Sequence, residues 1–370
     1  MKVKLTHRVL AKLPHAALVL AILCLLTILC FLFPEILTTP EVRRSLPIPL
    51  IRQLLQATIL TSIFLALVGY LTSKKAKLCF FALLLQIIVL FLGGADVPVK
   101  DEFTDARIQL GLDWFVLDIF LLALIFIPLE GIFPLNRLQK IMRPEIKVDL
   151  TYFAVGHLGI QLLAVLTQKP AQVWFQSLGA IPWAMTIQKL PIVLQILLAL
   201  FISDFIQYWL HRAFHETKLW EFHKIHHSIK TLDWLAGSRL HLVDILIVRT
   251  VVYFSILLVG LQSEAFWGYL TVMAMQTVLI HSNLGLNFGP LEHLFATPRY
   301  HHWHHHDRPV AYNKNYAVHF PVIDRFFGTQ YLPKNEWPTA YGIDEKNYPA
   351  SYGGQFIYPF RRLLLRLRKR

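Results

Sequence analysis

Histidine dominates the chemistry available to this chain: 14 of its 17 histidines fall between His211 and His319. The first cluster is His211-Arg-Ala-Phe-His215. Residues four apart on a helix share one face, so both imidazoles can reach one metal ion. The second cluster, His223-Lys-Ile-His226-His227, combines spacings of three and four, and His301-His-Trp-His304-His305 repeats it. His241 and His281 stand singly. Eight clustered imidazoles plus these two make ten nitrogen donors, against about twelve positions around two octahedral ions. Such a site keeps room for a small molecule such as O2. Imidazole suits iron, zinc, copper and nickel alike, so the donors alone do not name the metal.

What must position these donors is a membrane-embedded scaffold. Apolar residues make up 55% of the 370 and charged residues 16%, where soluble chains carry about 25% charged. Mean hydropathy is +0.49, and several apolar runs reach the ~18–20 residues that cross a bilayer. A soluble enzyme is excluded, as is a disordered or fibrous chain. The expected class is all-α: a polytopic transmembrane helical bundle with a helical cap that carries the histidines.

Spans are expected at about Ala16–Phe33, Leu54–Thr72, Leu78–Gly94, Ile108–Leu129, Leu150–Leu166 and Pro191–Leu210. A hairpin of Val243–Leu261 and Ala265–Ile280 follows. The first run trails a basic N-terminus but no small-residue cleavage site, which reads as an uncleaved anchor. Met1–His15, Ser73–Lys77 and Glu130–Asp149 have a basic excess, whereas Ala95–Arg107 carries Asp96, Asp101, Glu102 and Asp105. Pro34–Gln53, with three arginines, fits less well. The balance places the N-terminus in the cytoplasm. Counting spans then puts His211–Trp234 and everything from His281 onward on that same face. A bland scatter of capping histidines does not explain three clusters brought to one face.

The formal charge is +13, from 36 Lys and Arg against 23 Asp and Glu. Much of it flanks apolar spans, so anionic headgroups are the expected partner and nucleic acid is not. Six of the last ten residues, Arg361–Arg370, are basic and read as a tail on an anionic leaflet. Cys24, Cys30 and Cys79 lie inside apolar runs without metal-site spacing and read as packing residues.

Tyr208-Trp-Leu-His211-Arg-Ala-Phe-His215, Trp220-Glu-Phe-His223-Lys-Ile-His226-His227-Ser and Thr297-Pro-x-x-His301-x-x-His304-His305 closely resemble the fatty acid hydroxylase / sterol desaturase superfamily. Flanking segments agree: Arg239-Leu-His241-x-x-Asp244, Gln276 ahead of His281-Ser-Asn283, Asn313-Lys-Asn-Tyr316 and Asp324-Arg-Phe-Phe-Gly-Thr329. The resemblance covers about Leu198–Tyr331, and within the family Leu284–Thr297 looks nearest to alkylglycerol-type and bacterial members. The N-terminal half resembles nothing nameable. The resemblance implies a non-haem di-iron enzyme in which O2 hydroxylates or desaturates an unactivated C–H bond of a lipid. It also implies His211, His215, His223, His226, His227, His301, His304 and His305 as ligands, with His241 and His281 at matching positions. His302 and His306 open a rival register, but the spacing from Pro298 favours His301, His304 and His305.

The expected organisation is an N-terminal transmembrane bundle (1–147), a catalytic domain (148–335) and a basic tail (336–370). Asp204, deep in an apolar span, is expected either to orient a ligand imidazole or to form a helix-packing pair. Asp244 and Arg239, which flank His241, are expected likewise to orient a ligand imidazole or to pair with each other, and His157 to be a core histidine. No Gly-x-Gly-x-x-Gly turn, cysteine cluster or carrier domain is recognisable, so electrons are expected from a separate reductase, ferredoxin or cytochrome-type partner. Rival classes fit less well. A zinc hydrolase wants His-Glu-x-x-His, but His215-Glu216 lacks the second histidine. A bis-histidine haem protein needs fewer histidines on separate spans. A histidine-rich membrane metal-binding or transport protein without oxygenase activity is the alternative, though a transporter places histidines along a path within the membrane.

Overall fold

The computed structural model describes residues 13–367 apart from 46, 73–74, 100–108, 142, 178 and 180–181. The basic residues before Leu13, the acidic positions Asp101, Glu102 and Asp105, and the last three basic residues lie outside the described residues. Among the described residues the chain is helical, without strands. Six of its helices are long and apolar enough to cross a membrane, and the chain is a multi-pass integral membrane protein.

The chain forms two compact units, Met1–Ile119 and Phe120–Arg370. In the first, α1 (Leu13–Leu32), α2 (Ile48–Thr72) and α3 (Ala76–Phe91) pack together. Ala17, Ala21, Ala66 and Ala82 are fully buried where they meet. Small residues let helix backbones approach closely, which drives association where lipid removes the hydrophobic incentive. Larger side chains, among them Cys24, Ile28, Phe31, Leu55 and Ile59, fill a second cluster. Cys24 and Cys79 are buried packing residues, as expected.

Helix α4 (Leu112–Ile132) leads into the second unit, which holds α5 (Ile146–Ser177), α6 (Ile192–Glu216), α7 (Trp220–His227), α8 (Leu242–Val259) and α9 (Ser263–His281). It continues with α10 (Pro298–His304), α11 (Pro321–Phe326) and α12 (Tyr352–Leu367). Ala199 and Leu200 of α6, Val252 and Ile256 of α8 and Tyr269 of α9 form the core of this unit. The two helices expected as a hairpin are α8 and α9, which join through Gly260 at φ 73° and each pack on α6. That left-handed conformation suits glycine, and a Cβ there would collide with Ala184.

The sequence Leu129–Lys147 is bonded into the second unit. Leu135 N–H donates to Asn283 O (3.0 Å), Gly285 N–H to Phe133 O (2.9 Å), and Glu130 accepts from the N–H groups of Trp234 (2.7 Å) and Asn283 (2.9 Å). The compact unit that holds it starts at Phe120, and in the C-terminal segment α12 packs on α7 and α5.

Candidate metal centre

Helix α6 runs on beyond its apolar stretch and carries His211 and His215 on its last turns. Two turns of α7 carry His223, His226 and His227. Helix α10 starts cleanly because Thr297 caps it, its side chain accepting from Tyr300 N–H, with Pro298 in the first turn. That start aims His301, His304 and His305 inward, and His281 ends α9.

The imidazoles gather into two groups. His211, His215, His223, His227 and His304 form one, and His226, His281, His301 and His305 the other; within each, one nitrogen per residue lies within 4.8 Å of all the others. Each His-x-x-His-His motif is therefore divided. His223 and His227 join the first group while His226 joins the second, and His301 and His305 join the second while His304 joins the first. The groups adjoin, the rings of His227 and His305 stacking 4.6 Å apart.

Hydrogen bonding fixes which nitrogen faces inward. Nδ1 of His211 donates to Tyr316 O (2.8 Å), of His304 to Lys314 O (2.7 Å), of His281 to Thr277 O (2.6 Å) and of His226 to Arg239 O (3.3 Å). His223 Nδ1 donates to the Asp244 carboxylate (2.6 Å). An acceptor on Nδ1 leaves each neutral ring with a bare lone pair on Nε2. Nε2 of His211 and His223 nevertheless lie 3.0 Å apart, and Nε2 of His226 and His281 3.1 Å apart. Lone pair faces lone pair with no proton to share. Nε2 of His215, His227 and His304 is buried with no hydrogen-bond partner at all. Such an arrangement is costly unless a cation sits among the nitrogens, so the residues fit a metal in each group.

Electrostatics agree. Burial first, then the neighbouring imidazoles, hold His226, His227, His301 and His305 far below the ordinary histidine value. His304 is pushed down to about 3, mainly by burial. Neutral imidazole is the ligating form. Neither group contains a carboxylate that would serve as a hydrolytic base beside the metal.

His241, the tenth expected ligand, belongs to neither group. Its Nδ1 accepts from Val243 N–H (3.0 Å), capping α8, and its Nε2 donates to Phe356 O (3.1 Å). Both nitrogens are spent, so it cannot also bind metal. His302 donates and accepts outside the groups, to Ser282 O and the Tyr341 hydroxyl, and His306 bonds to Ala340 O. The register through His301, His304 and His305 is the one that meets the site. His157 packs on Phe153 and belongs to neither group.

One supporting carboxylate has a task different from those expected. Asp204 neither orients a ligand nor pairs two helices; it accepts the N–H groups of Val318 (2.8 Å), His319 (3.1 Å) and Phe320 (2.7 Å). Asp324 accepts from Tyr316 N–H (2.9 Å), Ala317 N–H (2.7 Å) and the Tyr300 hydroxyl (2.6 Å). Asn315, at φ 57°, ties Tyr300 and Tyr331 together through its amide. Together they freeze the loop whose carbonyls, at Lys314 and Tyr316, orient His304 and His211. Arg239 does not pair with Asp244 but with Asp149 (2.6 Å), while Arg143 grips Asp233 (2.6 Å) and Asp149 (2.5 Å). Nothing in the spacing of Asp233, Arg143 or Asp149 marked them. A cavity of about 360 Å³ reaches the first group, lined by His215, His227, His304, Trp220, Lys224 and Glu345 among others.

Residues 196–329 match the fatty acid hydroxylase family. The ornithine lipid hydroxylase OlsE of Rhizobium tropici is 33% identical over 173 residues, 46% of this chain and 52% of that protein. Rat (Rattus norvegicus) methylsterol monooxygenase 1 is 30% identical over 130 residues, 35% of this chain and 43% of that protein. Human (Homo sapiens) alkylglycerol monooxygenase is 30% identical over 141 residues, 38% and 31% respectively. The matched part thus spans about half or less of these relatives. No solved structure matches the chain.

Proposed function

We propose, from the premise that residues 196–329 belong to the fatty acid hydroxylase family, that this chain is a membrane-bound di-iron oxygenase acting on a lipid. The observation that carries the proposal is the convergence of nine imidazoles on two adjoining points, five of them with Nδ1–H bonded away and the Nε2 lone pair turned inward. An alkyl C–H bond has neither an acidic proton nor a polarised carbonyl, so breaking it takes the oxidising power of a metal pair with O2 and two external electrons. Nine nitrogen ligands leave about three of twelve octahedral positions for O2.

The chain's own residues bind, orient and exclude water. His211, His215, His223, His227 and His304 would hold one iron, and His226, His281, His301 and His305 the other. Asp244 and the carbonyls of Tyr316, Lys314, Arg239 and Thr277 keep the rings in one tautomer and orientation, which supports a site that is preorganised. Burial around the imidazoles supports a dry centre.

The lipid class is read from the relatives, whose names are those of an ornithine lipid hydroxylase, a methylsterol monooxygenase and an alkylglycerol monooxygenase. On this reading the acyl, alkyl or isoprenoid chain slides in from the bilayer and is hydroxylated or desaturated. Electrons come from a separate redox protein that meets the histidine face. That face is cytoplasmic, on the loop-charge argument, and the exposed Arg361 and the basic run 368–370 attract anionic headgroups.

The test is metal content and oxygen chemistry of detergent-purified protein prepared without chelating or metal-charged resins. About two irons per chain are expected, with an O2-dependent mass gain of one oxygen, or loss of two hydrogens, in a screened lipid extract. Failure to bind iron after anaerobic reconstitution defeats the reading. Iron binding without lipid oxidation under any reductant favours a metal-binding protein instead.

A further inference from the structure

Helix α12 has its polarity the unusual way round. Ile357, Phe360, Leu364 and Leu367, spaced by three, four and three residues, form one stripe and are 40–63% exposed. On the opposite face two half-exposed cations reach down to a buried acid. Arg366 pairs with Glu221 of α7 (2.6 Å), and Arg362 lies 3.9 Å from Glu221 and 3.7 Å from Glu345. The Glu221 side chain is wholly buried and also meets Lys224 (3.1 Å), which in turn reaches Glu345 (2.8 Å). The Tyr358 hydroxyl donates to Glu345 as well.

The position of α12 says what covers the stripe. Tyr352 packs edge-on against Tyr152 near the start of α5, with ring centroids 4.7 Å apart. Phe356 O accepts from His241, the residue that caps α8 where that apolar helix begins. The helix therefore lies across the ends of two helices of the bundle, at the level where the apolar layer gives way to polar surface. An amphipathic helix there buries its apolar face among headgroups and upper acyl chains.

We propose that α12 is a bilayer-embedded clasp on the histidine helix. Its stripe sits in lipid, and Arg362 and Arg366 hold Glu221 and, through it, the outer face of α7. The inner face of α7 carries His223, His226 and His227, so attachment to the membrane surface positions ligands of both groups. The lipid contact is thus made by the apolar stripe rather than by the two arginines that reach Glu221. The importance of α7 rests on the metal reading; the clasp itself does not.

The experiment uses the full chain in vesicles of phosphatidylcholine and phosphatidylglycerol. A spin label at Leu364→Cys, in a chain whose three cysteines are serine, should collide more with O2 than with a water-soluble nickel chelate. A label at Lys334→Cys should do the reverse. Equal access of the chelate to both positions overturns the lipid contact. Hydrogen exchange of residues 220–227 should quicken about tenfold in Arg366→Ala and Glu221→Gln, because each removes the ion pair that ties α12 to the buried Glu221. Arg366→Lys should fall between these and the parent chain, and exchange of α1–α3 should not move. Unchanged exchange of 220–227 in both variants overturns the clasp. Neither readout needs bound metal, so a failure of the oxygenase proposal is seen separately.

Discussion

At the scale of single residues, the centre is defined by protons placed on the far side of five of its nine rings. Asp244 and four backbone carbonyls fix Nδ1–H, and the lone pairs that remain confront one another at 3.0–3.1 Å. Because His226 and His304 belong to different groups, His226→Ala and His304→Ala should each lower iron from about two per chain towards one. Metal analysis of the purified variants reads this directly. Asp244→Asn keeps the size of the side chain but removes the charge facing His223, and should weaken metal affinity by roughly 10–100-fold in a chelator competition. Acid acts on the same rings. His304 has a folded value of about 3 against 6.5, so between these values the unfolded chain binds more protons. Stability of the metal-free protein should therefore fall as pH drops from 6.5 towards 3. Thermal unfolding of metal-free protein at two pH values checks the sign.

At the scale of elements, helical spacing does the sorting. In each His-x-x-His-His motif the first and last histidines lie four apart and share a face, while the middle one is turned by about 60° to 100°. Two groups side by side thus need only short helices, provided their axes are held still. The closest constraint is at Gly237, where a Cβ would lie 2.8 Å from His281 Nδ1. Gly237→Ala should displace His281 and cost the second group its metal while sparing the first, which a metal titration of the variant resolves. Thr297 shows the reverse case of a residue that starts an element. Thr297→Ala should cost about 1 kcal/mol by removing the α10 cap, measured as a lower unfolding midpoint.

At the scale of the molecule, the second unit ties its histidine end together with buried charge. Arg143 and Arg239 bracket Asp149, and Arg143 also holds Asp233, whose carboxylate accepts the N–H groups of Leu235 and Ala236. Breaking such a network by removing one partner costs about 3–5 kcal/mol, since the others stay buried and unpaired. Arg143→Ala should therefore unfold well below the parent chain, and should lose metal from the second group first, because Arg239 O orients His226. Metal itself is a folding partner here. Its removal should lower the melting temperature, by the equivalent of about 2.7 kcal/mol when free metal stood at a hundredfold excess over its dissociation constant.

Membrane character, the helical class and nine of the ten histidines were legible in the sequence alone, because apolar run length and helical periodicity are local properties. His241 was not separable from the others by spacing, since its diversion depends on Phe356, more than a hundred residues away. Asp204 showed its importance by its depth in an apolar helix, but not its partners, which sit on the loop Val318–Phe320. The tertiary structure alone decided which histidine joins which group and which carbonyl turns each ring. It also decided that Leu129–Lys147 and the C-terminal helix belong to the histidine unit. The reason is physical: a ring's useful nitrogen is chosen by whatever accepts a proton from the other, and that acceptor comes from elsewhere in the chain.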